Sequence, residues 1–396
     1  MGSTISLSFT LNLLTIMAKP HVKSFSVAPM MKHTDLHFRY LFRLISSSAI
    51  LYTEMIMADE IVNNQMKKEK LSEILHYYQP NTKSKGLTII QIGGNNPAII
   101  QKACSLALPY NYDGINLNVG CPSAIVAGDN EMGVALMKKA KLVKQICEAM
   151  LESTSNSDLR HGVSVKCRLG VDDYDSYGNL ADFISTVGSS GVKRFQVHAR
   201  KALLGLDPKT NRRFAPLDYE RVYKLVQDFP DYEFILNGGI DSLESVSTHL
   251  DKCHGIMVGR ACVNHPYLWS KVDSLLGYED QKLSRGEILD KYIEYCKNYE
   301  NSICFILKTK SEKLNLVAAL TAPVYNLFCG EEGNEIYQRV LKRATHQVTS
   351  AVTAINAAKL HISQNVLSSL GAQPLSSQVV YEKAPSKSGP RNRRIV

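Results

Sequence analysis

A chain of 396 residues with 44% hydrophobic and 21% charged residues reads as a globular protein able to form one large domain and a smaller one. Its formal charge of +9, from 46 Lys and Arg against 37 Asp and Glu, favours a polyanionic partner without identifying one. The nine cysteines show no C-x-x-C pair, which excludes a disulfide framework, argues against zinc or any other metal site, and points to free thiols in a reducing compartment.

Residues 1–20 contain no acid and read as an untargeted, disordered leader. An organelle transit peptide is the alternative, against which the lack of arginine counts. A cytoplasmic location and a monomer are expected, and no apolar run is long enough to cross a bilayer. From residue 23 the chain becomes rhythmic. Short apolar or β-branched runs at 23–28, 50–55, 87–92, 115–119, 163–167, 194–197, 234–236 and 255–258 are each followed by a polar or glycine break and a helix-like stretch. Eight strands alternating with helices over about 250 residues predict parallel strands and a closed (β/α)8 TIM barrel over residues 21–275, an α/β fold. A doubly wound sheet is the structural runner-up, but neither G-x-G-x-x-G nor a Walker A sequence occurs.

The fourth run, DGINLNVGCP at 113–122, alternates Ile115, Leu117 and Val119 with Asn116 and Asn118 before reaching Gly120, Cys121 and Pro122. A strand thus delivers Cys121 onto a stiff turn, where it fits a reactive thiol; taken alone, the stretch favours a buried structural cysteine. Other strand ends carry Pro29, Met30 and Met31; Gln91, Gly93 and Gly94; Lys166, Cys167 and Arg168; His198, Arg200 and Lys201; Asn237, Gly238 and Gly239; Gly259 and Arg260. In a barrel these positions converge on one face, where catalytic groups gather. The Asn-Gly-Gly and Gly-Arg pairs after strands 7 and 8 suit a phosphate, because glycines let backbone N–H groups approach an anion. A tight turn and a solvated arginine are the plainer explanation of each taken singly. Lys166 could stabilise developing negative charge or be a surface lysine, His198 could be a hydrogen-bonded core histidine, and Gln91 could satisfy its own loop.

Residues 284–362 read as a small C-terminal helical domain. It opens with a Ser-x-x-Glu capping box and Ile288, Tyr292, Ile293 and Cys296 at helical spacing, and continues from about 314 to 349 with a break near 326–333. Residues 363–396 read as a disordered basic tail.

The segments SVAPMMKHTD, LYTEM, IIQIGG, INLNVGCPS, SVKCRLG, VHARKALLGLDPKTNRR, LNGGI and IMVGRA, in this order from residue 23 to about 268, resemble a tRNA-dihydrouridine synthase of the bacterial-type A branch. The resemblance implies an FMN-containing barrel followed by a helical domain, with NADPH as reductant and tRNA as partner. It implies that hydride reaches C6 of a D-loop uridine and that Cys121 protonates C5. It places FMN against Pro29, Met30, Met31, Gln91, Lys166 and His198, with its phosphate at Asn237, Gly238, Gly239, Gly259 and Arg260. Asn118 is implied at the base, with tRNA contacts from Arg200, Lys201, Asn211, Arg212 and Arg213. A thiol acid suits an apolar loop with no cation close by.

The chain departs from the family pattern at Lys32-His33, where Asp-Trp is usual, at Ile125, where a basic residue is expected, at Asn130 to Met132, and over residues 301–320. A dihydroorotate-type dehydrogenase acting on a free pyrimidine is the alternative enzyme, which the HARKA segment and the C-terminal extension disfavour. A catalytically impaired RNA-binding barrel is the alternative outside enzymes.

Overall fold

The computed structural model describes residues 22–75, 86–128, 130–304 and 306–371. The expected leader at 1–20 and the tail beyond 371 lie outside them. Eight strands occur where the sequence places them: β1 (Ser24–Val27), β2 (Ile50–Met57), β3 (Thr88–Gly93), β4 (Gly114–Val119), β5 (Gly162–Arg168), β6 (Arg194–His198), β7 (Glu233–Asn237) and β8 (Gly255–Val258). All neighbours pair in parallel, and β1 pairs with β8 from Ser24↔Gly255 to Val27↔Val258, closing the barrel. The fold is therefore an α/β TIM barrel carrying a C-terminal helical region. No helix among the described residues is long and apolar enough to cross a membrane.

Period-2 alternation sorts each strand into two environments. Ile115, Leu117 and Val119 of β4 join the large apolar layer between strands and helices. Ala28, Tyr52, Ile89, Ile235 and Met257 form a separate small cluster. The alternate phase of β3 to β7 is polar, with Gln91, Asn116, Asn118, Ser164, Lys166, Gln196, His198 and Asn237. Register lines these groups up: Gln91↔Asn116, Asn118↔Lys166, Arg168↔His198 and His198↔Asn237 are direct neighbours.

The C-terminal region starts as expected, with Ser284 and Glu287 forming a reciprocal capping box on the helix Arg285–Ile303. A second box, Thr309 with Glu312, starts the helix Lys310–Thr321 inside the 301–320 stretch that departs from the family pattern. Helices Asn334–Ala344, Ala351–Lys359 and Gln364–Ser368 follow. The last of these moves the expected tail boundary. Residues 364–371 are folded onto the rest, since a Cβ on Gly286 would lie 2.8 Å from the Leu367 carbonyl oxygen and only glycine permits that approach.

Several contacts join the barrel to these helices. Tyr40, on the helix Leu36–Ile45 after β1, stacks on Tyr295 at 4.0 Å between centroids, and His37 Nδ1 shares a 2.7 Å hydrogen bond with the Tyr295 hydroxyl. The fully buried Arg285 donates to Glu331 at 2.6 Å and to the Gly371 carbonyl at 2.7 Å while lying over the Tyr267 ring. Removing one partner of a buried ion pair strands the other charge. Glu331→Ala should therefore cost about 3 kcal/mol, read as a lower urea midpoint; an unchanged midpoint would show that this pair contributes nothing.

Candidate active site

Cys121 lies two residues beyond β4 on a loop whose backbone is held from three sides. The Asn118 side-chain oxygen accepts from the backbone N–H groups of Gly120 at 3.1 Å and Cys121 at 3.0 Å. Arg168 Nε donates to the Gly120 carbonyl at 2.9 Å, and the Val134 N–H donates to the Cys121 carbonyl at 3.0 Å. The stretch 130–132, where the sequence departs from its family, leads into this last contact: Gly133 takes φ +57, and a Cβ there would lie 2.6 Å from the Cys121 carbonyl oxygen. Cys121 is half-buried, whereas Cys104, Cys147, Cys167, Cys253, Cys262 and Cys296 are buried. Burial pushes the adjacent Cys167 thiol up to about 12. The thiol offered at the barrel mouth is Cys121, and the buried-cysteine alternative does not describe it.

The expectation of a loop with no cation close by fails. Lys166 and Arg168 both interact electrostatically with Cys121, because the β4–β5 register sets the end of β5 beside the β4 exit. Burial, then the Arg168 charge, lowers the Lys166 amine to about 8. Its Nζ donates to the Asn237 side-chain oxygen at 3.1 Å, and the Asn237 amide donates to the Met257 carbonyl at 2.7 Å. His198 is held well below its usual range, first by burial and then by Arg168, Lys166, Arg200 and Arg212, so it is neutral at neutral pH.

The turn after β7 needs its glycines. Gly238 has φ +113, and a Cβ there would sit 2.5 Å from His198 Cδ2; at Gly239, with φ +75, it would meet Leu217 at 2.5 Å. Tyr219 fixes the turn by donating its hydroxyl to the Gly238 carbonyl at 2.8 Å. At Gly259 a Cβ would make only ordinary contacts, the nearest with Met30 Sδ at 3.5 Å. Pro29 and Met30 are half-buried while Met31 is 56% exposed, and Thr34 caps the Met30 N–H at 3.0 Å.

Arg212 feels the charges of Arg260 and Arg200, and its Nε is buried with no hydrogen-bond partner among the described residues. Burial followed by those like charges lowers it to about 10. A mouth that gathers mutually repelling cations and an unsatisfied guanidinium fits an anionic, phosphate-bearing group.

Placement varies among the residues expected to meet RNA. Arg200 donates to the Ala215 carbonyl at 2.9 Å, and Lys201 pairs with Asp175 at 2.7 Å. Arg213 is exposed. Asn211 is a correction: it is fully buried, its oxygen accepts from the Leu203 N–H at 2.7 Å, and its amide donates to the carbonyls of Leu203 and Leu206. It shapes the loop after β6 and is not available to a partner.

Sequence reasoning assigned no role to Arg168, which is 4% exposed and bridges the Gly120 carbonyl to that of Lys201 at 3.1 Å. The available signal was its place at the β5 exit, two residues after Lys166.

The dihydrouridine synthase (Dus) family model matches residues 26–366. This chain belongs to that family. Among family members, the tRNA-dihydrouridine(20/20a) synthase of Shewanella oneidensis is 36% identical over 338 residues, covering 85% of this chain and 93% of that protein. The protein of the same name from Synechocystis sp. is 37% identical over 332 residues, covering 83% and 92%. The dihydrouridine synthase match extends past the barrel through the capping-box helices, so the 301–320 stretch lies inside the family's span.

Proposed function

We propose that this chain reduces uridine to 5,6-dihydrouridine in tRNA, at D-loop uridines, with FMN bound in the barrel mouth, NADPH as reductant and Cys121 as proton donor. The observation that carries this reading is the half-buried Cys121 thiol, clamped at the β4 exit beside Lys166 and Arg168 in a mouth lined by cations.

The residues present suit FMN. Asn237, Gly238, Gly239, Gly259 and Arg260 would hold its phosphate end, with Arg212 nearby as an unsatisfied donor. Pro29, Met30 and Met31 would line the flavin, and Gln91, Lys166 and His198 would face its polar edge. FMN reduced by NADPH would supply the hydride that reaches C6. The S–H bond of Cys121 breaks as its proton passes to C5, and the resulting thiolate faces Arg168 and Lys166 until solvent reprotonates it. Arg200, Lys201, Arg212 and Arg213 would hold phosphates, making binding salt-dependent. Asn118 would touch the base, which must leave its stack to enter.

The test is direct. Purified chain with NADPH should form dihydrouridine in unmodified tRNA, with a dependence on Cys121. A chain that binds no flavin even after reconstitution overturns the proposal.

A further inference from the structure

The segments that follow β4 and β5 enclose a groove outside the barrel mouth that the proposed reaction does not use. Its volume is about 450 Å³, and it lies where the helices Ala140–Thr154 and Tyr177–Gly188 pack side by side. Lys138, Lys139 and Lys141 line it together with Tyr174, Asp182 and Phe183. Three exposed lysines thus stand against one carboxylate.

Two of these lysines are only loosely held. Lys138 pairs with Asp172 at 3.3 Å and Lys139 with Glu131 at 2.6 Å, and the four side chains are 32% to 63% exposed. Exposed ion pairs contribute little and are screened by salt, so a polyanion can take over either lysine. Among the described residues, Lys141 has no carboxylate partner and the Tyr174 hydroxyl has no hydrogen-bond partner.

One turn ties the groove to the thiol. The segment Gly133–Lys138 begins where the Val134 N–H holds the Cys121 carbonyl and ends at the groove with Lys138. Asp172, the partner of Lys138, also accepts from the Leu204 N–H at 2.8 Å, and its carbonyl accepts from Lys201 at 3.1 Å, so the loops after β4, β5 and β6 are joined. In the closed barrel β4 and β5 stand across the mouth from β1 and β8. The C-terminal helices attach on the β1 and β8 side, through Tyr40 on Tyr295 and through Asn326, whose amide donates to the Val263 carbonyl at 3.0 Å. A polyanion lying over those helices and the mouth runs on toward the three lysines.

We propose that this groove is a second tRNA-binding surface, in which Lys139 and Lys141 hold backbone phosphates on the side of the mouth opposite the C-terminal helices. The inference rests on the reading that tRNA is the substrate. It concerns the sugar–phosphate chain, which positions an RNA without reporting its sequence. Asp182 opposes the lysines, since a carboxylate in the groove repels the same phosphates.

Equilibrium binding of unmodified tRNA to the flavin-loaded full chain, over a series of salt concentrations, tests the groove separately from turnover. Lys139→Gln combined with Lys141→Gln should raise Kd about tenfold and reduce the slope of log K against log salt by about 1.5, the loss of two phosphate contacts. Asp182→Asn should do the reverse and tighten binding about twofold, a gain that a damaged fold does not produce. Flavin reduction by NADPH should be the same in wild type and both variants. Unchanged affinity and slope in the double variant overturn the inference, as does a loss of affinity with an unaltered slope, which marks a change of shape and no lost phosphate contact. A chain that binds tRNA through the groove yet forms no dihydrouridine overturns the functional reading and leaves the groove standing.

Discussion

In Cys121→Ala, dihydrouridine formation should fall about a thousandfold, within the range of a positioned general acid, while NADPH still reduces the bound flavin. The separation is expected because Cys121 meets Lys166 electrostatically while its backbone bonds go to Asn118 and Val134. Removing the thiol also leaves the loop intact, since its clamps use the backbone of Gly120 and Cys121: Asn118 takes their N–H groups, Arg168 takes the Gly120 carbonyl, and the Val134 N–H takes the Cys121 carbonyl. Rapid-mixing absorbance resolves the two half-reactions. Equal dihydrouridine yields at equal rates in wild type and variant would remove Cys121 from the chemistry.

Lys166→Met should slow uridine reduction about a hundredfold, the scale of losing one preorganised group at developing negative charge. The same lysine gives a pH signature. Burial and Arg168 bring its amine to about 8, so it is charged below that pH and neutral above it. Wild-type turnover should therefore decline as pH rises through about 8, and the methionine variant should be slow and flat over the same range. A decline of equal steepness in both would assign the pH effect to another group.

The barrel was legible because alternation and spacing repeat eight times, and each strand needed only its own residues to be recognised. The convergence of Cys121, Lys166, His198 and Asn237 followed from topology, since exits of parallel strands share a face. What stayed hidden depends on register. Asn118 opposite Lys166 cannot be deduced from either strand alone, and that pairing is what brings cations to the thiol and defeats the expectation of an apolar loop. Asn211 misled for a related reason. An asparagine among Arg212, Arg213 and Lys209 looks like part of a basic surface, yet its amide closes the loop after β6. The buried hydrogen bonds of Asn116 had a faint trace, because Asn116 shares the inward phase of Asn118, but its partners Ser164 and Gln196 lie on two other strands. The folded stretch past 363 was not legible because Gln364–Ser368 is a five-residue helix, too short to show a periodicity, and its contact with Gly286 spans the whole helical region.

Arg285 gathers Tyr267 from the end of the barrel, Glu331 from among the C-terminal helices, and the carbonyl of Gly371 into one contact. With Tyr40 stacked on Tyr295, the helices are bolted to the barrel at separated points. The spacing between the barrel mouth and the helices would then act as a fixed gauge. An RNA held by both would have its reduced position chosen by which nucleotide lies at that distance, and any bending needed to fit would fall on the RNA. A chain cut back to residue 362 would lose a fastening of that gauge, and its selection of position should loosen before its chemistry does.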